Sequence, residues 1–425
     1  MFKYILVFLT SAWAAILANR GIAIFNDAVR PIFPEFRENR MTRFELAATT
    51  FGLSFGLVIG FGIPFSIMSP IILIHSIFLG TDIIGTFFPG KPIKEWYKDK
   101  ESLIGVILSG LIGGIYGLFI LMGLGGFVKL MKMLPVNIFD PLGNLGDPVI
   151  YAFAAFPALA IAFEYGFKNG LLSLAIITLV REIAAKLKLA SPDGIALLIG
   201  MLILLIYAIR QKSDENSGAV SVLSLFGNRV QNIKNNIIYI GIMGALYGMG
   251  VNLYLLAEGP QSLLAMSKGL KTEALGITIS RALSFIPLKG TTSLASGTFV
   301  TDGFGFVATA GLLAPNMIIA AVLGAIVIIL EALSLVVFAK IFDKYPGIRN
   351  AADNIRDAMT KLLEVAIIVG SMMAANKMAP GMGYLVVAGL YLLNETAKRP
   401  LVRMAVGPIG AIIVGVIVNL LAIIK

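Results

Sequence analysis

A single carboxylate, Glu331, interrupts the apolar run 318–339, IIAAVLGAIVIILEALSLVVFA. At about 1.5 Å of rise per residue such a run crosses a hydrocarbon core of roughly 30 Å. A carboxylate at that depth costs about 2.5–3.5 kcal/mol on insertion scales, which a purely structural span would avoid. Glu331 is therefore the first candidate for coupling to H+ or Na+. Asp82, Asp140 and Asp147 join it, because carboxylate oxygens are the ligands that hard cations take. Asp82 and Glu364 lie nearer the ends of apolar runs, where snorkelling or capping explains them equally well.

Three polar segments suit solute contact. The stretch SRALSFIPLKGTTSLASGTFVTDGFGF carries Thr291, Thr292, Ser293, Ser296, Thr298 and Thr301 and ends at Asp302. Pro287 and the glycines disfavour a regular lipid-facing helix, so residues 285–302 are expected to form a re-entrant hairpin or broken helix lining the substrate site. In IAIFNDAVRPIFPEF, Asn26, Asp27 and Arg30 gather before Pro31. This is either an interfacial ion pair or a polar cluster at the mouth of a pathway, with Asn26 and Asp27 as substrate contacts. In PVNIFDPLGNLGDPV three prolines forbid a helix, which leaves an extracytoplasmic loop or a cation loop around Asp140 and Asp147.

Further on, Arg349, Asp353, Arg356 and Thr360 repeat at helical spacing in YPGIRNAADNIRDAMTKLLEV. One polar stripe results. It fits a cytoplasmic interfacial helix stapled by ion pairs, or a gate formed by Arg349, Asp353 and Arg356. His75 is the lone histidine. It is read either as a proton relay or as a ring packed against a backbone carbonyl.

The elements that must position these residues are apolar helices. Of 425 residues 58% are hydrophobic and 14% charged, with mean hydropathy +0.90. Candidate spans lie near 2–19, 44–63, 65–88, 102–127, 149–163, 170–181, 194–209, 236–257, 315–339, 362–378, 381–397 and 404–424. That makes an all-α, polytopic membrane protein of about twelve transmembrane helices. The whole chain, 1–425, reads as one integral membrane domain, with halves at roughly 1–210 and 236–425 dividing into scaffold and transport parts. Basic residues concentrate in the loops around Arg37, Lys94, Arg229, Arg349 and Arg399, which places those loops in the cytoplasm and both termini outside. The net charge of +10 follows from these loops rather than from nucleic-acid binding. MTRFELAATTFG at 41–52 echoes MTKLLEVAIIVG at 359–370, a faint sign of internal repetition.

Enzyme chemistry is not expected. The chain has no cysteine and one histidine, which excludes thiolate and multi-histidine metal centres. It also lacks GxxxxGK[ST], HExxH and GxSxG patterns.

Taken together, the strings IFNDAVRPI, PVNIF, AFAAFP, FIPLKGTTSLASG, APNMIIAAVLGA, YPGIRNAADNIRDAMTKLLEVAIIVGS and YLLNE resemble the YhfT family of bacterial inner-membrane proteins over nearly the whole chain. Thr81–Asp82 fits that pattern and His75 does not. The resemblance implies a multi-spanning inner-membrane protein of transporter type. It supplies neither a substrate nor functional residues.

The leading expectation is a secondary transporter, ion-coupled or facilitative, for a small polar solute. The alternative is the membrane permease subunit of a phosphotransferase-type system that works with separate soluble subunits. Expected partners are the bilayer, the solute, a second copy in a homodimer and, on the alternative, a phosphocarrier-like subunit. No cofactor beyond a coupling Na+ or H+ is expected.

Overall fold

The apolar run at the N-terminus forms α1 (Phe2–Asn19), which stops where Asn19, Arg20 and Gly21 interrupt it. Its end is a Schellman turn: Gly21 N–H donates to the Ala18 carbonyl and Ile22 N–H to that of Leu17. Gly21 takes the left-handed φ of +59° that this turn requires. The chain then enters a two-residue strand, β1 (Ala23–Ile24). The computed structural model describes residues 1–26, 40–58, 70–91, 96–123, 133–136, 152–189, 192–211, 230–296, 298–300, 304–401 and 403–424, with isolated positions between.

After β1 come α2 (Arg43–Leu57), β2 (Ile72–Leu73), α3 (Ile74–Phe87) and α4 (Lys100–Leu118), which a π-turn prolongs through Phe119–Gly123. Three further helices follow: α5 (Phe156–Tyr165), α6 (Phe167–Lys186) and α7 (Pro192–Arg210). The second half repeats this plan. It runs α8 (Ile237–Asn252), β3 (Leu256–Ala257), α9 (Pro260–Ser267), α10 (Lys271–Ser296), β4 (Phe299–Val300), α11 (Gly305–Leu313) and α12 (Met317–Lys344). It closes with α13 (Pro346–Met378), α14 (Met382–Thr396) and α15 (Arg403–Ile424).

The correspondence extends to single hydrogen bonds. α8 ends in the same Schellman turn, with Tyr254 N–H to the Val251 carbonyl and Leu255 N–H to that of Gly250. Here a tyrosine, Tyr254, holds the left-handed position at φ +56°. Asn19 Nδ2 donates to the carbonyls of Gly85, Phe88 and Pro89 at the end of α3. Asn252 Nδ2 donates to those of Gly311 and Ala314 at the end of α11. Each amide thus satisfies carbonyls that a helix end leaves open. Gly85 and Gly311 sit where the helices touch. A Cβ at Gly85 would stand 2.5 Å from the Ala15 carbonyl oxygen, and one at Gly311 2.7 Å from that of Gly248.

Small residues close the same joints in both halves. Ser11 and Ala15 of α1 meet Gly113 and Gly117 of α4, and Gly244 and Gly248 of α8 meet Ala320 and Gly324 of α12. Close backbone approach through small residues is how helices pack without a hydrophobic driving force. The halves interlock through their strands: β1 pairs in parallel with β4 (Ala23 with Phe299, Ile24 with Val300), and β2 with β3 (Ile72 with Leu256, Leu73 with Ala257). The start of α8 lies against the C-terminal half of α1, where Trp13 Nε1 donates to the Tyr239 carbonyl at 2.9 Å and stacks on its ring.

Among the described residues, five helical segments are long and apolar enough to cross a membrane: Phe2–Asn19, Lys100–Gly123, Pro192–Arg210, Met317–Phe338 and Val406–Ile424. Ile74–Phe87, Phe156–Tyr165 and Ile237–Asn252 are shorter apolar helices. On α12 the exposed face is Ile318, Val322, Ile326, Leu330, Leu333 and Val337, the spacing of a lipid-facing stripe.

Three expectations change. Pro287 does not break the chain: α10 runs unbroken for 26 residues and ends at Ser296. One proline removes one backbone donor, a loss that a helix packed among others tolerates. The polar stripe at 345–365 and the span at 362–378 are one 33-residue helix, α13, because no breaker separates them. Finally, the echo between 41–52 and 359–370 does not mark the structural repeat: the first opens α2, whereas the second lies inside α13.

Candidate functional site

α10 carries Arg281, Phe285 and Lys289 at intervals of four, which puts all three on one face. Both cations are paired. Lys289 Nζ donates to Glu331 Oε2 on α12, with each side chain only 13% exposed. Glu331 Oε1 is buried and has no hydrogen-bond partner among the described residues. Lys289 Nζ also stands 5.0 Å from the centre of the Phe299 ring, which ties it to strand β4. Eight residues earlier, Arg281 Nε reaches Glu258 Oε1 at 3.0 Å, and the guanidinium lies 5.7 Å from the Phe285 ring centre. Glu258 follows β3 directly. A Cβ at the next residue, Gly259, would stand 1.8 Å from Arg281 Nη1, so a larger residue there would displace the guanidinium. Removing one partner of a buried pair strands the other charge, so both pairs constrain where α10 can sit.

A cavity of about 260 Å³ opens beside the Lys289–Glu331 pair, between α10, α11 and α12. Its walls are mostly apolar, with Phe285, Ile286, Phe306, Leu335 and Phe338 facing it. Ser334 adds a hydroxyl that donates to the Glu331 carbonyl at 2.7 Å.

The first half offers a different arrangement at the matching break. Asp82 of α3 is 3% exposed, and its carboxylate accepts Phe25 N–H at 3.0 Å and Asn26 N–H at 2.8 Å. Asn26 Nδ2 donates to Ser54 Oγ at 2.9 Å. His75 sits edge-on to Phe25, with centroids 4.8 Å apart. Phe25, Phe78, Phe304 and Tyr247 continue as an aromatic chain between the strand pairs, at centroid distances of 5.4, 5.4 and 4.6 Å. The Tyr247 hydroxyl at its end is buried, with no hydrogen-bond partner among the described residues.

At the helix ends the charges are conventional. Asp99 caps α4, and bonds from Ser102 N–H and Lys91 Nζ pull its carboxyl from 3.8 down to about 2. Glu395 is held at about 2 by Arg403, at 2.6 Å, and by Arg399. Arg403 also reaches Glu364 at 3.4 Å. Arg20 Nη1 donates to the Lys91 carbonyl and Arg43 Nε to that of Phe88, so two basic loops meet at one end of the helices.

The sequence-based candidates are distributed unevenly over this frame. Glu331 lines the cavity, Asp82 and Asn26 share one network at the other break, and Ser293 is fully buried in α10. Asp27, Asp140, Asp147 and Asp302 lie outside the described residues. Thr291, Thr292 and Ser296 belong to α10, and Arg349, Asp353 and Arg356 to α13, but their side chains lie outside what is described. Sequence reasoning missed Lys289, Arg281 and Glu258. The four-residue spacing of Arg281, Phe285 and Lys289 was the available signal, hidden by reading the segment as a hairpin.

Long apolar helices, an exposed apolar stripe and buried ion pairs mark the chain as a helical membrane protein. It belongs to the YhfT family, whose sequence model, described as a protein of unknown function, matches residues 3–425. The chain is 35% identical to the uncharacterized protein YhfT of Escherichia coli (strain K12) over 435 aligned residues, covering 99% of this chain and 97% of that one. No solved structure matches.

Proposed function

We propose that the protein is a secondary transporter of the bacterial inner membrane that carries a small solute, with Glu331 as its coupling carboxylate. The observation that carries this reading is the pair of reciprocal breaks. Two halves of one plan each unwind after their first helix, and the unwound strands pair across the halves beside buried charges. Repeats with interrupted helices at the repeat interface are the architecture on which alternating access is built. Unwound backbone at membrane depth is tolerated only inside protein or beside water. The joining of the Arg20, Arg43 and Lys91 segments at one end agrees with a common cytoplasmic side for the basic loops.

The test is solute uptake into proteoliposomes containing the full chain, with and without an imposed proton or Na+ gradient. Uptake driven by one of the gradients is expected. Glu331→Gln should keep the protein level near wild type and lower gradient-driven uptake at least tenfold. Full gradient-driven uptake by Glu331→Leu would remove Glu331 from the mechanism.

A further inference from the structure

The cavity between α10, α11 and α12 has the chemistry of a site for an organic anion rather than for a neutral polar solute. Its walls are Phe285, Ile286, Phe306, Leu335 and Phe338, so an occupant rich in hydroxyls would lose its hydration and find Ser334 as its main neutral polar contact. The strongest donor is Lys289, whose ammonium stands at the junction of the cavity, Glu331 and the Phe299 ring. At about 260 Å³ the space falls below the roughly 300–1,000 Å³ of pockets that enclose drug-sized ligands. The occupant is therefore small.

Charge balance supplies the rest. Lys289 and Glu331 together are neutral. An anion entering beside them would leave a net negative charge in a poorly solvated space, which burial strongly disfavours. Protonating Glu331 removes that excess and ends its hold on the ammonium. Among the described residues, Lys289 and Glu331 are the ionisable groups that line the cavity. α11 carries no ionisable residue, α8 only Tyr239 and Tyr247, Arg281 of α10 is held by Glu258, and Glu364 of α13 is engaged by Arg403.

We propose that this cavity binds a small monocarboxylate with an apolar body, its carboxylate on Lys289, and that one proton taken up by Glu331 accompanies each anion. The proton goes onto a Glu331 carboxylate oxygen, the Lys289–Glu331 contact opens, and a Lys289–substrate contact replaces it, so total charge in the site is conserved. This rests on the transporter reading for its function but not for its test, which measures binding without flux.

The experiment is equilibrium binding of radiolabelled benzoate to the full chain in lipid nanodiscs from pH 5 to 8, with unlabelled benzamide, octanoate and palmitate as competitors. Benzoate should bind at least tenfold more tightly at pH 5 than at pH 8, and benzamide should not compete. Competition by octanoate marks a solute from water, whereas competition by palmitate alone marks a lipid-derived acid. Lys289→Met should abolish binding. Because that variant leaves Glu331 without its partner, the doubly neutral Lys289→Met, Glu331→Gln protein serves as the folded control and should also fail to bind. Glu331→Gln alone should bind benzoate with no dependence on pH over this range. Equal competition by benzamide, retained binding in the doubly neutral variant, or no benzoate binding by the wild type at any pH would overturn the proposal. A protein that binds benzoate in this way but moves no solute in proteoliposomes would leave the site standing and fell the transporter reading.

Discussion

The two halves share a backbone and differ in charge. Residues 2–87 and 237–313 end their first helix in the same turn, cap the returning helix with the same asparagine and contribute one strand to each pair. In the first half the buried charge at the break, Asp82, is answered by backbone N–H groups of Phe25 and Asn26. In the second half the break carries Glu258 with Arg281, and one further step along α10 lies Lys289 with Glu331. A carboxylate held by backbone donors is fixed with the chain that holds it. An acid held by a flexible cation can exchange partners. The difference teaches that symmetry builds the frame, while, among the described residues, the ion pairs at the breaks lie in the second half.

The largest expected effect tests that division. Glu258→Gln leaves Arg281 buried beside a neutral amide, and breaking a buried pair in this way costs about 3–5 kcal/mol. Asp82→Asn keeps one acceptor oxygen for Phe25 and Asn26 and should cost about 1.5–3 kcal/mol, the worth of hydrogen bonds to a charge. Thermal unfolding in detergent should therefore rank wild type above Asp82→Asn and both above Glu258→Gln. The reverse order would mean that the break in the first half bears the greater load.

A smaller effect probes the symmetry itself. Asn19→Leu and Asn252→Leu each strand carbonyls at the end of a short helix, at about 1–3 kcal/mol each. Asn19 serves three carbonyls and Asn252 two, so the loss at Asn19 should be equal or larger. The double variant should lose the sum, measured by the same unfolding assay, because the two amides bond to different carbonyls. If only one variant destabilises, the two turns are alike in shape and unlike in load.

Much of the frame was legible in the sequence, because apolar length announces itself: 2–19 and 404–424 match α1 and α15 to within a residue. Glu331 was legible for the same reason, as a charge with no business in a lipid-facing run. The repeat was not. Aligning the turn of α1 with that of α8 over 7–26 and 240–259 leaves only Ala12 and Asn19 recurring, as Ala245 and Asn252. Backbone turns and small-residue contacts admit many side chains, even a tyrosine at a position that favours glycine. Lys289 and Arg281 were obscured because proline and hydroxyl content pointed to unwinding one helix too early. Composition reports what a segment can tolerate, whereas tertiary packing decides where it breaks.

The smallest effect concerns the helices that follow the two turns. α4 is capped by Asp99, a carboxylate, and α12 by Asn316, whose side chain accepts Ile318 and Ile319 N–H at 3.1 and 3.0 Å. The caps do the same work, but only one can titrate. Asp99 titrates near 2 in the folded chain and near 3.8 when free, so folding favours its ionised form. Its contribution is complete above about pH 4 and is lost as pH falls through about 2. Between those values hydrogen-exchange protection at Ser102 and Leu103 should decline, while that at Ile318 and Ile319 stays level. Asp99→Asn should flatten the decline, since an asparagine cap works without a charge. Raising salt at neutral pH should weaken the Lys91 contact and leave the Ser102 bond in place, because solvent-exposed charges are screened and a short backbone hydrogen bond is not. An equal decline at both helix starts would trace the acid response to the fold as a whole rather than to this cap.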